Sequence, residues 1–575
     1  MALTKVTYSM IEGASVNVLD YGATGDGATD DTAAIQAAIS ALGVDGGTVY
    51  LPAGVYMTTG ITLDNNVQLL GESRGSVILK LIDGTNAPVI SCLGEQATRK
   101  FYVSVKSLTI DGNTPIGSVS PTTNKHGIFF GYVNFVTMDD LFVYGCGHDG
   151  IKCAGVNQGS LRNSEIASNW IGVYWSGYFT GSTVIECAHN STINCVIRGN
   201  ANDGIDFDFG MTYSTIVDCF VYDNDIDNDQ DGGNIVVASD NALFPCKYIG
   251  VFNNRLYGNS LSFSGTQNFE CIGNFVYDAG RNTTPSTPQW GHGIEVFTKA
   301  GQAVCFGGRI VGNTILDSGK HGIAVIDFTN SVTAYNITIC DNEITNSGKN
   351  QDNTYSGVYL TRCTNVNVSN NIITSGIVNR TKYQIETTDT VTQALCMNNI
   401  VSGGTTANYS LNAVGTVICS DNQNNQYNVR SNQRDTGINI TGSERPRLSL
   451  DPEGITSVTR MYARDNSFYS GGVWNNLQWS GSGANYNLDD TSLSGWDIYT
   501  DVDVLNAVGI RRASPGANPR TLTEYWRVAG DDPPVSGTTV MWLLVNDGSS
   551  TTLRQVQVGA PDSGGIGFRL LRVTN

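Results

Sequence analysis

Two acidic residues, Asp206 and Asp208, stand two positions apart and alternate with the apolar residues Ile205, Phe207 and Phe209. Alternation with a period of two is typical of a β-strand, so both carboxylates face one side of it, with backbones roughly 6.5 to 7 Å apart. Hydrolysis of a glycosidic bond needs a proton donor and a second carboxylate, about 5 Å apart for retention and about 6.5 to 9.5 Å apart for inversion. The spacing therefore predicts an inverting or borderline pair. The alternative is that the two residues only solvate a strand face, with a counter-ion between them.

Glu295 is a third candidate for a catalytic carboxylate. It follows a His-Gly-Ile turn as Asp206 follows Asp-Gly-Ile, and alignment of the intervening repeats places the two residues three repeats apart. At about 4.8 Å per repeat this is roughly 14 Å, which is too far for a direct pair. We therefore expect Glu295 to bind a neighbouring sugar, or to pair with Asp327 one repeat further on.

Aromatic and cationic residues on the same predicted face are candidates for sugar binding. Lys152 and Tyr174 occupy the position of Asp206 in the two preceding repeats, where a ring can stack on a sugar. This pair could also abstract the proton beside a uronate carboxylate, which is lyase chemistry. Hydrolysis is favoured because no Arg or Lys cluster accompanies the pair to hold a uronate. The predicted substrate-binding residues are Tyr174, Trp175, Trp170, Lys152, His292 and Asp327.

The run Asp227-Asn-Asp-Gln-Asp-Gly is similar to the first half of a calcium loop, with carboxylates at Asp227, Asp229 and Asp231. The twelfth position is Ala238 instead of a bidentate Glu, so the full pattern fails. We predict a solvated acidic loop or a part of the glycan site, with calcium as the alternative. No other metal site and no cofactor is predicted.

These candidates lie on a repeated pattern of a polar or small residue, a Gly and a β-branched residue. The Gly residues recur about 22 to 35 positions apart, with one longer gap that holds two weaker copies: Gly127, Gly150, Gly172, Gly204, Gly293, Gly322 and Gly357. An Asn-based pattern runs out of phase with them: Asn254, Asn274, Asn313, Asn342, Asn371 and Asn399. Two strand signals at one variable period predict the stacked coils of a parallel β-helix. A β-sandwich with accidental repetition is the alternative. The His residues of the turns (His126, His292, His321) are predicted to be turn elements rather than general bases.

Composition excludes several classes of function. The 575 residues have a net charge of -19 with only 33 Lys and Arg, so nucleic acid is not an expected partner. The start lacks the apolar core of a secretory signal, and no apolar run is long enough for a membrane span, so we expect neither secretion by that route nor membrane insertion. The 13 cysteines follow the repeat without a C-x-x-C pair, which predicts buried thiols instead of disulfides.

The N-terminal part carries a long and specific motif. From Val16 the chain reads VNVLDYGATGDGATDDT, then AAIQAAI, then GGTVYLPAGVY. A helix is predicted at Ala33–Ile39, with Asp30, Asp31 and Thr32 as capping candidates, and it can cover the open end of a solenoid. This segment resembles the opening of pectate-lyase-like β-helix proteins, and especially of bacteriophage tailspikes and capsule depolymerases. The resemblance implies a right-handed parallel β-helix, assembled as a homotrimer, that binds and often cleaves bacterial surface polysaccharide.

The chain divides into four predicted parts. Residues 1–13 are an attachment peptide, 14–100 the cap and first coils, 101–426 the catalytic and glycan-binding β-helix, and 427–575 a C-terminal β-rich region. Five of the eight Trp residues lie in this last part, which is predicted to contain β-sandwich modules for trimerisation or sugar binding.

The leading hypothesis for function is a phage tailspike that hydrolyses a capsule or O-antigen polysaccharide. It would act in the virion tail, attached to the phage through its N-terminus, after synthesis in the host cytoplasm. The alternatives are a polysaccharide lyase on a uronate-containing capsule, a non-cleaving receptor-binding adhesin, and a purely structural tail component. Function has to be argued from the site, because the N-terminal motif contains no catalytic residue.

Overall fold

The computed structural model describes residues 15–424, apart from 116–117, 181–182, 186, 226–231, 281–290, 300, 329–333, 376–380, 389, 407, 413–415 and 421–422, and a set of strands beyond residue 424. The chain forms two compact units, Met1–Arg464 and Asp465–Asn575. The predicted attachment peptide, the calcium candidates Asp227, Asp229 and Asp231, and residues 425–437 around the predicted domain boundary lie outside the described residues. In the described ranges, no helix is long and apolar enough to cross a membrane.

The first unit is a parallel β-helix, as the repeats predict. One strand of each coil contributes to a sheet of fourteen parallel strands, here called the first sheet. Its strands are Ile61–Thr62, Ile90–Leu93, Ile128–Gly131, Ile151–Ala154, Val173–Ser176, Ile205–Asp208, Ile235–Val237, Leu261–Ser264, Ile294–Thr298, Ile323–Asp327, Val358–Leu360, Ile385–Thr387, Tyr409–Asn412 and Ile438–Thr441.

The other sides of the coils form a sheet of 28 strands, arranged as two strand runs that share the long strands Lys100–Asp111 and Val133–Tyr144. Counting the first sheet as the first side of the coil, these are called the second run and the third run. The second run contains Val16–Asn17, Gly47–Leu51, Val67–Gly71, Asn157–Arg162, Ser191–Ile193, Thr215–Val217, Gly250–Phe252, Glu270–Ile272, Arg309–Val311, Ala334–Cys340, Cys363–Ser369, Gln393–Met397 and Thr416–Ser420. The third run contains Asp26–Asp30, Gly54–Thr58, Val77–Leu81, Glu165–Ala167, Val196–Arg198, Phe220–Tyr222, Arg255–Tyr257, Phe275–Tyr277, Thr314–Leu316, Glu343–Thr345, Ile372–Thr374, Ile400–Ser402 and Gln423–Asn424. Smaller sheets pair Tyr178–Thr180 with Thr183–Ile185, and stack Cys187–Ala188, Met211–Thr212, Cys246–Lys247 and Thr266–Gln267.

The two sequence patterns mark two corners of each coil. At Gly204 a Cβ atom would lie 2.5 Å from the carbonyl oxygen of Asn234, so the turn before the first sheet admits only Gly. At another corner the six Asn residues of the second pattern are buried and stacked. Asn313, for example, accepts from the backbone N–H of Asn274 at 2.9 Å and donates to Asn342 at 2.9 Å. Buried amides joined in this way satisfy each other and hold successive coils in register.

A helix at Thr32–Ala41 covers the first coils, as predicted. It buries Ile35, Ala38 and Ile39 against the solenoid interior, so the open end of the stack is not left exposed. The hydrogen bonds at the N-terminus of this helix differ in detail from the prediction. The side chain of Asp31 makes no capping bond and instead accepts from the backbone of Thr24, while Asp30 accepts from the N–H of Thr32.

The interior of the first unit contains one continuous apolar cluster, to which most strands contribute alternate residues. The twelve cysteines whose side chains are described are free thiols, and all except Cys340 are fully buried. This agrees with the prediction of buried thiols instead of disulfides.

In the second unit, five strands form one sheet: Trp496–Asp501, Ala507–Arg512, Thr539–Asn546, Thr551–Pro561 and Arg569–Val573. A short hairpin joins Tyr469–Ser470 to Val473–Trp474. The sandwich and its role in trimerisation or sugar binding stay predictions.

Candidate active site on the first sheet

The outward residues of the first sheet form the ladder that the Gly alignment predicts. Successive coils pair Phe129, Lys152, Tyr174, Asp206, Val236, Ser262, Glu295, Ala324 and Tyr359. A neighbouring ladder pairs Ser176 with Asp208, and Phe297 with Ile326. Tyr174, Asp206 and Glu295 therefore lie on one side of the coil stack.

The outward face of the first sheet is not exposed along its whole length. Val236, Phe297, Ala324 and Ile326 are buried and form an apolar cluster on the outer face. Segments around Asp240 and Gln302 bond to each other and to this face, because Gln302 donates to Asp240 at 2.8 Å and accepts from Ser264. Of these four residues, only Val236 lies on the ladder between Asp206 and Glu295. Val236 interrupts the polar ladder between a site around Asp206 and a second polar cluster around Glu295.

Asp206 and Asp208 form the centre of the first polar site. The side chain of Asp206 is buried and its Oδ1 has no hydrogen-bond partner, whereas Asp208 is half-buried and accepts from the N–H of Phe209 at 2.7 Å. Burial, followed by the charge of Asp208, raises the pKa of Asp206 well above its ordinary value. Burial likewise raises the pKa of Asp208 to about 8. Because two adjacent buried carboxylates cannot both ionise easily, the pair carries at least one proton at neutral pH.

Tyr174 and Lys152 extend this site along the ladder. The hydroxyl of Tyr174 donates to Oδ2 of Asp208 at 3.2 Å. Burial, together with the charges of Asp208 and Asp206, raises the pKa of Tyr174 well above its ordinary value, so it stays a hydrogen-bond donor. The ammonium of Lys152 lies 5.4 Å from the centre of the Tyr174 ring and 5.7 Å from that of Phe129. A cation, a ring and an acidic pair therefore follow one another over three coils.

Beside this site lies a cluster that the sequence patterns did not predict, formed by His126, His148 and Asp149. Asp149 is fully buried, and its two oxygens lie 2.7 Å from Nδ1 of His148 and 3.3 Å from Nδ1 of His126. Burial opposes ionisation of Asp149, but the two histidines outweigh it and lower its pKa to about 2. One ligand atom from each residue lies within 4.8 Å of the others, a donor set that could hold a metal ion, but Lys152 already places its ammonium 3.7 Å from Asp149. The only sequence signal was Asp149 itself, which reads as an ordinary residue before a turn Gly.

Glu295 belongs to the second polar cluster. It lies three coils from Asp206, as predicted, and is 1% exposed. Ser262 donates to it at 2.5 Å, and Nε2 of His292 lies 3.9 Å away. Lys320, which the sequence analysis did not select, is buried nearby, and burial lowers its pKa to about 8. The geometry does not bring Glu295 into the pair formed by Asp206 and Asp208.

Three of the predicted substrate-binding residues, Trp175, Asp327 and His292, are buried and do not lie where the prediction placed them. Trp175 is fully buried because it is adjacent to Tyr174 on the strand and therefore faces the interior, where Nε1 donates to Thr192 at 3.2 Å. Asp327 is also buried and pairs in register with Thr298, so it does not face Glu295. Trp170 is half-buried in the turn before Val173–Ser176, where its N–H donates to the carbonyl of His148. Trp170 therefore remains beside the site.

His292 is the third misplaced residue, since it is 1% exposed and part of a turn ladder. Its ring stacks on that of His321 with centres 5.2 Å apart, and its Nδ1 accepts from the backbone N–H of His321 at 3.3 Å. His321 accepts in the same way from Ser356 at 2.8 Å. Burial lowers the pKa of His321 well below its ordinary value, which suits a ring that accepts through Nδ1. The interpretation of these histidines as turn elements is confirmed.

Residues 15–120 match the family model described as rhamnogalacturonase A/epimerase, pectate lyase-like. Over 264 residues the chain is 34% identical to mannuronan C5-epimerase AlgE2 of Azotobacter vinelandii, a match that covers 42% of this chain and 22% of the epimerase. Over 249 residues it is 27% identical to the preneck appendage protein of Bacillus phage PZA, covering 40% of this chain and 26% of that protein. The chain thus spans only about a quarter of the length of these relatives.

A solved structure has the same fold. The pre-mature gene product 12 of bacteriophage phi29 superimposes with a TM-score of 0.52 at 17% identity, over 71% of this chain and 55% of that chain. Such low identity supports the architecture and not the chemistry. Residues 15–120 are thus similar to the pectate-lyase-like family, and the stacked coils that follow form a parallel β-helix.

Proposed function

We propose that this chain is a phage tailspike that binds and depolymerises a bacterial surface polysaccharide by hydrolysis. The observation that carries the proposal is the Asp206 and Asp208 pair, which has raised pKa values and lies beside an aromatic ring and a lysine. Hydrolytic cleavage needs one protonated and one ionised carboxyl group at the same bond. The pair supplies this state near and above pH 8, where Asp208 ionises while Asp206 keeps its proton.

The two carboxyl groups take different roles. Asp206 holds the proton, because burial disfavours its charge and its Oδ1 has no partner that would stabilise an anion. Asp206 therefore donates to the leaving glycosidic oxygen. Asp208 receives hydrogen bonds from Phe209 and Tyr174, which favour its ionised form, so it activates the attacking water. The i, i+2 spacing of roughly 6.5 to 7 Å along one strand suits inversion at the anomeric carbon.

The experiment measures the products released from a panel of capsular and O-antigen polysaccharides by the purified protein. Hydrolysis releases reducing ends without the ultraviolet absorbance of an unsaturated uronate. Asp206→Asn and Asp208→Asn should each lower the rate by about 10²- to 10⁴-fold while leaving the fold intact. The matched control is Asp218→Asn, an exposed aspartate on the second side of the coil. If Asp206→Asn and Asp208→Asn both cleave polysaccharide as fast as the wild type does, the Asp206 and Asp208 pair is not the catalytic site.

Elimination is the second candidate reaction, and the similarity to mannuronan epimerases favours it, because mannuronan is a polymer of uronic acid. In that reaction Lys152 would neutralise the uronate carboxylate, with Tyr174 beside it. The absorbance of an unsaturated uronate in the products would identify this reaction. Polymer that is bound but not cut would instead identify an adhesin.

The similarity to a phage preneck appendage protein supports a place in the virion tail. The proposal includes a homotrimer attached through the N-terminal residues to the phage or to another tailspike. Measurement of the particle mass by light scattering tests the trimer, and a monomeric mass in dilute solution would contradict it.

A further inference from the structure

A block of aromatic side chains covers the outer surface of three consecutive coils in the third strand run. Each of the three strands has three residues, of which the first and third point outward and the second is buried. Strand pairing in register places the outward residues in two adjacent columns. The resulting aromatic–arginine patch consists of Phe220, Tyr222, Arg255, Tyr257, Phe275 and Tyr277.

The patch is open to solvent. Phe220 is 43% exposed, Phe275 39% and Tyr277 37%, and all the patch residues except Tyr222 line a shallow cavity of about 370 Å³. The rings of Phe220 and Tyr222 stack with centres 4.5 Å apart, and those of Tyr257 and Tyr277 with centres 5.2 Å apart. Contiguous exposed aromatic surface of this kind marks a binding site more often than it marks plain solvent-facing surface.

Arg255 stands at the middle of one column, between Phe220 and Phe275. Other arginines on the same sheet are neutralised by a glutamate one coil away, as Arg198 is by Glu165 at 2.8 Å and Arg309 by Glu270 at 2.7 Å. Within the described part of the chain, the guanidinium of Arg255 has no hydrogen bond or ion pair. An unpaired cation among rings suits an anionic ligand.

We propose that the aromatic–arginine patch binds a carboxylated glycan chain at a site separate from the candidate active site. Aromatic faces accept the apolar side of sugar rings, and a guanidinium holds a carboxylate through two parallel hydrogen bonds. The patch lies on the third strand run, whereas Asp206 and Asp208 lie on the first sheet, so the two sites use different sides of each coil. The proposal shares its class of ligand with the proposed function but does not depend on cleavage.

The test is calorimetric titration of the full chain, carrying Asp208→Asn to prevent cleavage, with alginate oligosaccharides. Dextran oligosaccharides of equal length are the neutral probe. Arg255→Ala and Phe275→Ala should each weaken one alginate-binding event by about tenfold, and Arg255→Lys should weaken it less, because the charge remains while the bidentate geometry is lost. The matched control is Arg309→Ala, which removes the same charge from an arginine already paired with Glu270 and should change the affinity less than twofold.

Three results would overturn the proposal. Alginate could fail to bind, dextran could bind as well as alginate, or Arg309→Ala could weaken binding as much as Arg255→Ala. A loss of particle mass in Phe275→Ala, measured by light scattering, would instead assign the patch to contact with a second copy of the chain. Cleavage is measured separately in an Arg255→Ala variant that keeps Asp208. This measurement reports on the active site alone. Failure of the proposed function and failure of this binding site are therefore distinguishable.

Discussion

Asp206 and Asp208 differ in surroundings although they share one strand face. Asp206 is buried on the outward face and has an oxygen without a partner, whereas Asp208 accepts from a backbone N–H and from Tyr174. Desolvation without compensation disfavours an anion, and donated hydrogen bonds favour it. Two chemically identical side chains thereby become able to act as an acid and a base.

If the proposed hydrolysis takes place at this pair, its pH dependence follows from Asp208. Its pKa is raised to about 8, so it is protonated at lower pH and the ionised form that activates water accumulates as pH rises. We expect kcat/KM on the polysaccharide to rise toward about pH 8 and to reach its plateau above it. Tyr174→Phe removes a donor to the carboxylate, which raises the pKa of Asp208 further and should move this rise to higher pH.

Tyr213→Phe is the control for this profile, since Tyr213 is exposed on another side of the coil. A Tyr174→Phe profile that coincides with the wild-type profile would show that the hydroxyl does not act on Asp208.

Trp175 tests the assignment of the interior face. Because it is fully buried and donates to Thr192, Trp175→Ala should lower the free energy of unfolding by about 3 to 5 kcal/mol. Trp170→Ala, at a half-buried turn position, should cost clearly less. Denaturant unfolding measures both. A Trp175→Ala protein of normal stability that binds sugar weakly would restore Trp175 to the binding site.

At the scale of the element, stability depends on how each coil is joined to the next. The backbone of every coil bonds to its neighbours, and the buried Asn residues add side-chain bonds at one corner. Since a solenoid gains most of its stability from contacts between neighbouring repeats, one missing link weakens two interfaces.

Asn313→Ala removes a central link of this ladder. The N–H of Asn274 would lose its acceptor, and Asn342 and the carbonyl of Cys271 would lose a donor. Buried polar groups without partners cost about 1 to 3 kcal/mol each, so we expect a loss of about 2 to 4 kcal/mol in denaturant unfolding. The control Gln393→Ala, an exposed residue on a strand three coils further along, should change stability by less than about 0.5 kcal/mol. Equal effects of the two changes would contradict a structural role for the ladder.

At the scale of the whole molecule, the described cysteines are distributed along one continuous interior instead of being joined in pairs. Thiols in such surroundings resist ionisation, and burial raises the pKa of Cys305 to about 11, for example. The reactivity of the thiols therefore reports on the integrity of the entire stack.

We expect a thiol reagent such as Ellman's reagent to react with the half-buried Cys340 first in the native protein. The fully buried thiols should react only on unfolding, in one cooperative step if the coils unfold together. Release of all 13 thiols requires denaturant. Rapid reaction of Cys146 or Cys271 in the native state, mapped by mass spectrometry, would contradict the closed interior.

Much of the architecture followed from the sequence alone, because a solenoid is built from local repeats. Close approach of one coil to the next admits only Gly at positions such as Gly204, and buried amides recur at positions such as Asn313, so each coil repeats the same signals. The alternation of side chains likewise put Asp206 and Asp208 on one face and aligned them with Tyr174.

The tertiary structure alone decided what each outward side chain meets. Burial of Glu295 and Asp327, the apolar cluster on the outer face, and the proximity of His126 to Asp149 arise from contacts between coils and from segments that fold over the sheet. Trp175 faces the interior because neighbouring residues on a strand point to opposite faces, and Tyr174 points outward. Selecting both residues because they are aromatic overlooks this alternation. A local period determines the direction of a side chain relative to its strand, whereas exposure and pKa depend on distant residues, which no local pattern records.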